Sequence, residues 1–145
     1  MTAKDYLQQL KAMDIRIDQR QKQVDELRAL AFGCGSRKDG ERVQTSRRAD
    51  MLEKNIVKYV DLERECDKAI DEYIDFKNVI IGEIQALSDW RHVELLYKRY
   101  VEYKSFGKIA REMKYSYDSI LHLHGGALKA FEDKYTFIDN DWKLT

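Results

Sequence analysis

Proline is absent from this chain, and 145 residues include only seven glycines and two cysteines. The commonest breakers of long helices are therefore missing or scarce, and an all-α chain is the expectation. Cys34 and Cys66 lie far apart without C-x-x-C spacing, which excludes a zinc knuckle, a dithiol motif and a disulfide framework. Cys66 is expected as an ordinary thiol on a helix core face, and Cys34 in a glycine-flanked loop where exposure would let it oxidise. No apolar run approaches the roughly 18 to 20 residues needed to cross a bilayer. The first six residues, Met1 to Tyr6, contain no apolar core of a signal peptide, so a soluble cytoplasmic protein with no membrane partner is expected. At this length the chain suits one domain, or a small domain with an extended helical partner, and is too short for most multidomain enzymes.

What is present is charge and apolar content together: 36 % charged, 43 % hydrophobic and 11 % aromatic, a mixture that disfavours disorder over most of the length. The 26 basic and 26 acidic side chains cancel in total but not locally. Residues 1–48 hold 11 basic and 7 acidic groups, residues 49–89 hold 5 and 11, and residues 90–145 hold 10 and 8. An acidic middle thus lies between basic ends, and it is the local field that decides whether a polyanion can dock.

Tyr6, Leu10, Met13, Ile17, Val24, Leu27 and Ala31 recur at spacings of four and three, interrupted once by Arg20, which is a heptad seam. It predicts a helix of roughly 26 residues and about 39 Å, stopped at Gly33 to Gly35. A basic loop follows over 33–49. A second seam, through Ile56, Tyr59, Cys66, Ile70, Tyr73, Ile80, Ile84 and Leu87, is less pure because Glu63 and Lys77 share it. Asp50 and Glu53 form a capping pair where this helix is expected to begin. At roughly 38 residues it exceeds the first by about 18 Å, and the excess needs a partner over Val79, Ile80 and Ile81: the C-terminal domain or a second copy. The organisation expected is a long, coiled-coil-like helical hairpin over 1–88 and a helix-turn-helix domain with a tail over 89–145.

After the break at Ser88, Asp89 and Trp90, three short helices are read: about His92 to Tyr103, Phe106 to Met113, and Tyr117 to about Tyr135. Ser105 and Ser116 stand at their N-cap positions. Leu96, Tyr100, Phe106, Ile109, Ala110, Met113, Tyr115, Ile120, Leu123 and Leu128 form the expected core. The small Ala110 allows the tight crossing that turns the last helix outward, where it could enter a major groove about 12 Å wide.

In Ser105, Phe106, Gly107, Lys108, Ile109, Ala110, Arg111, Glu112 and Met113, then Tyr115, Ser116, Ile120, Ala127 and Leu128, the chain resembles region 4 of bacterial sigma factors. That fit is short; Tyr6, Leu7 and Leu10, the run Arg42 to Ser46, Arg99 to Val101, and Leu123 to Gly125 with Ala127 and Leu128 carry a second, longer likeness. Over most of its length the chain resembles phage and prophage proteins of Gram-positive bacteria related to the ArpU-like and RinA-like late transcription regulators. That resemblance implies a small DNA-binding regulator in a bacterial host cell; a homodimer is expected so that two copies match two half-sites, and the region-4 likeness, if it extends to partners, adds RNA polymerase. Gly126 stands where relatives often carry a basic residue, and the pair Gly125 and Gly126 invites a kink. No Lys or Arg occurs from Tyr115 to Leu128.

The candidate DNA-binding residues are accordingly Lys104, Lys108, Arg111 and Lys114 for phosphates, with Ser105, Ser116, Tyr117, Ser119 and His122 near base edges. Asp118 would accept from cytosine or repel phosphate. Arg37, Lys38, Arg42, Arg47 and Arg48 in the basic loop form either a second arm for the DNA backbone or a solvated connector. His122 and His124 fall on different sides of a helix, so no metal site is read; His124 is expected to pack and His122 to be exposed. No nucleophile and base pairing, glycine-rich phosphate loop or H-E-x-x-H pattern is present, and neither enzyme activity nor a cofactor is expected. Two rivals remain at this level: a ring-forming packaging protein resembling small terminase subunits, and a helical interaction protein that binds no DNA.

Overall fold

The computed structural model describes residues 1–33 and 45–135, and their fold is all-helical. Five helices follow one another: α1 (Ala3–Arg28), α2 (Thr45–Gln85), α3 (Trp90–Leu96), α4 (Phe106–Met113) and α5 (Tyr117–Tyr135). Wider π turns extend α1 over Ala29–Gly33 and α3 over Tyr97–Val101. Among the described residues no helix is long and apolar enough to cross a membrane.

The long helices start earlier than the seams suggest. At α1 the Thr2 hydroxyl accepts from the Asp5 N–H (3.2 Å) while the Asp5 carboxylate accepts from the Thr2 N–H (3.2 Å). This reciprocal cap sets the helix start at Ala3 and holds the Asp5 carboxyl below its usual range, chiefly through the Thr2 side chain. α2 begins at Thr45, so Asp50 and Glu53 lie inside the helix and cap nothing. Residues 45–49 contain neither glycine nor proline, and the helix simply continues through them. Arg47 and Arg48 are consequently exposed residues of its first turn, not of a loop. Cys34, Arg37, Lys38 and Arg42 lie outside the described residues, as does the tail after Tyr135.

The chain forms two compact units, residues 13–72 and residues 1–12 with 73 onward, so the division falls within both long helices and not at the 88/89 junction. In the 13–72 unit α1 and α2 run antiparallel: the Cys66 thiol lies 3.5 Å from the Gln21 amide oxygen, and Phe32 meets Tyr59 edge-on at 5.5 Å. Val24, Ala31 and Cys66 are buried there, with Met13, Ile17 and Leu27 half-buried. Ile56, expected on the seam, is exposed.

The other unit joins the first turns of α1 to the end of α2 and to α3, α4 and α5. Its main core gathers Tyr6, Leu7, Leu10, Ile80, Ile84, Leu96, Tyr100, Ala127 and Phe131. Tyr6 lies edge-on to Phe76 at 5.7 Å and 6.0 Å from Phe131, whose other neighbour, Tyr135, donates its hydroxyl to the Glu83 carbonyl at 2.7 Å. The excess length of α2 is thus covered by the C-terminal helices of the same chain. Ile80 is fully buried and Ile81 half-buried, whereas Val79 stays exposed. Leu7, Phe131 and Ala127 are core residues that the seam reading did not name. α5 runs through Gly125 and Gly126 as one helix, and the Gly126 position lies against His92.

Candidate nucleic-acid interface

A second, smaller core of Leu95, Ile109, Ala110 and Ile120, flanked by Phe106, Met113 and Leu123, fixes α4 against α5. Ser105 caps α4 by accepting from the Lys108 N–H at 3.3 Å. Ser116 caps α5 in the same way, accepting from the Ser119 N–H at 3.1 Å and donating its own hydroxyl to Ser119 Oγ at 2.7 Å. These serines are therefore spent on backbone geometry, as their cap positions suggested.

Between the two helices the turn is left-handed at Lys114 (φ 61°), and the Tyr115 N–H reaches back to the Ala110 carbonyl at 3.0 Å. That closes α4 with a Schellman arrangement in which a lysine occupies the place that usually takes glycine. The turn carries Tyr115 outward, 39 % exposed, so it does not join the core as the apolar pattern implied.

Ile120, Ala127 and Phe131 bury one side of α5, and its other side carries Tyr117 (54 % exposed), Asp118, Leu121 and His122. Lys108, Arg111 and Lys114 are also exposed, and among the described residues none of the three side chains forms an ion pair. Lys104 differs. Its ammonium lies 3.0 Å from Glu112 and pairs with Glu102, while Lys98 reaches the same Glu112 carboxylate at 3.0 Å. The hydrogen bond to Glu102, then that to Glu112, raises the Lys104 pKa, and Lys104 followed by Lys98 lowers that of Glu112. Lys104 thus staples the turn before α4 and is not left for phosphate as the charge pattern proposed.

Two residues that the sequence reading passed over border this face. Arg91, Tyr115, Ser119, His122 and Leu123 line an open groove of about 390 Å³. Asp89 caps α3 by accepting from the Arg91 N–H (2.9 Å), and its carboxylate also holds the Arg91 guanidinium at 3.1 and 3.3 Å. The D-x-R spacing at the helix start was the available signal. Trp90, beside them, is 65 % exposed.

Behind the face, His124 is half-buried as expected. Its Nε2 lies 2.8 Å from the Tyr100 hydroxyl, and Phe106 meets its ring edge-on at 4.8 Å. Burial pushes the imidazole down to about 4 and the Tyr100 phenol up to about 12, so at neutral pH both are uncharged. No group of side chains able to hold a metal ion occurs among the described residues. The chain matches no family model, no curated protein and no solved structure.

Proposed function

We propose that this chain is a phage-type transcription regulator that binds duplex DNA through α4 and α5, with the outward side of α5 in the major groove. The observation that carries the reading is the uncovered side of α5 from Tyr117 to His122, flanked by three exposed cations without acidic partners, at Lys108, Arg111 and Lys114. Cations of this kind displace counterions from phosphate and position a helix, while side-chain hydroxyls and imidazoles read base edges. With no Lys or Arg on the reading side, sequence preference rests on Tyr117, Ser119 and His122. Arg91 borders the groove but is paired with Asp89, so it is not one of these free cations. Self-association into a homodimer would match two half-sites about one helical turn apart, and RNA polymerase contact would supplement a reading helix without arginine.

Gel-shift titration with duplex DNA at several salt concentrations tests this. The double variant Lys108→Glu, Arg111→Glu is expected to weaken binding on every duplex and to flatten the salt dependence. Unchanged binding in that variant removes α4 from the interface. A second reading, a helical interaction protein, is favoured by the exposed Trp90, Tyr115, Tyr117 and Leu121, since aromatic residues are enriched in protein interfaces. It predicts no duplex binding near physiological salt.

A further inference from the structure

The first turns of α1 and the π turn after α3 enclose a notch of about 60 Å³ lined by Gln8, Lys11, Arg99, Tyr100 and Tyr103. A single water needs roughly 10–15 Å³, so the notch has room for a group of several heavy atoms. Its lining contains an amide, an ammonium, a guanidinium and two phenols, and no carboxylate. Such a surface supplies donors and positive charge.

Arg99 is the informative residue. The neighbouring cations Lys98 and Lys104 are neutralised by Glu102 and Glu112, whereas Arg99, half-buried between them in sequence, has no ion pair among the described residues. Yet it is held in place. Its guanidinium carbon lies 4.0 Å from the centre of the Phe106 ring, and one Nη1–H donates to the Lys104 carbonyl at 3.1 Å. Stacking and this single bond fix the plane of the fork and leave further N–H groups of the guanidinium unused by them. Arg99 also acts electrostatically on the notch wall, lowering the Tyr100 phenol against the upward effect of burial. Tyr103 forms the rim with a left-handed backbone (φ 58°), a conformation bulky residues rarely adopt, and its hydroxyl lies 3.1 Å from that of Tyr73. A fixed, partly desolvated guanidinium without a counter-charge is unfavourable until an anion accepts from it.

We propose that this notch binds a phosphate group, with Arg99 as the forked donor, Lys11 as the second positive charge, and Gln8 and Tyr103 as walls. The site does not depend on the DNA-binding reading, and two sources share the chemistry: a free phosphate or phosphomonoester, and a backbone phosphodiester of a bound duplex.

Isothermal titration of the full chain with sodium phosphate, at ionic strength matched with chloride, tests it. One saturable site is expected, weakened about tenfold by Lys11→Gln, as for the loss of one charge-assisted hydrogen bond, and abolished by Arg99→Gln. Because Arg99 also stacks on Phe106, the exposed Lys11 decides the matter if Arg99→Gln fails to fold. Absence of saturable heat in the parent chain, or unchanged affinity in Lys11→Gln, overturns the proposal. Saturating phosphate that weakens duplex binding at matched ionic strength identifies the phosphodiester as occupant, and unaltered duplex affinity identifies the free anion. If no duplex binds at all, the phosphate titration still decides the notch by itself.

Discussion

Acidification should destabilise the helix-turn-helix through His124. Its imidazole falls from 6.5 to about 4 in the folded chain, with burial the largest cause and Arg99 and Lys4 adding to it. Between those two values the unfolded chain binds a proton that the folded chain refuses, so this contribution is fully present above pH 6.5 and is lost as pH falls toward 4. At 1.36 kcal/mol per pKa unit the whole shift corresponds to about 3 kcal/mol. His124 is only half-buried, and solvent screening reduces this to about 1–2 kcal/mol, of which about 1 kcal/mol is lost by pH 5. Other groups also titrate. Glu83, raised by burial against a smaller lowering by its side-chain hydrogen bond with Tyr6, acts in the opposite sense, gaining stability on acidification. Asp5, Asp89 and Glu112 are lowered and act mainly below the ordinary carboxylate range. Comparing the parent with His124→Gln, which keeps a polar partner for Tyr100 but cannot titrate, cancels these shared terms. Urea unfolding at pH 7.5 and pH 5.0 should show the parent losing about 1 kcal/mol more than the variant. Equal losses in both would refute the assignment.

Three further outcomes follow from the geometry. Gly125 has open space where a Cβ would stand, so Gly125→Ala should stabilise the chain by about 1 kcal/mol in urea unfolding, the ordinary helix-interior difference. Lys114→Gly relieves a left-handed lysine and should add about 1 kcal/mol of stability while weakening duplex binding in gel shifts, a split that a purely structural lysine would not give. Phe131→Ala empties a fully buried position and should cost about 3–5 kcal/mol, with faster hydrogen exchange in the first turns of α1 as well as in α5, because Tyr6 and Phe131 share one core.

Much of the local architecture was legible in the order of residues. Ser105 and Ser116 sit where backbone donors need an acceptor, and α4 begins and ends where that pattern placed it. The absence of proline and the recurrence of apolar residues at three and four announced the two long helices, since both features act within a few residues of chain. Other assignments needed partners distant in sequence. Lys104 reads as an available cation until Glu112, eight residues on, is brought within 3.0 Å. Tyr115 reads as core until the left-handed Lys114 turns it outward. Arg91 gains its place only because Asp89 holds it beside a groove whose other residues come from the α4–α5 turn and α5.

By itself the sequence determined that this chain is helical, where its short helices are capped, and which segments carry each sign of charge, because propensity, capping and periodicity are short-range properties. Only tertiary packing decided that the compact units divide both long helices, that the end of α2 is covered by α5, and which cations are neutralised and which left exposed. Burial and ion pairing depend on the distance between side chains that the chain brings together from far apart, and that distance is set by the whole fold.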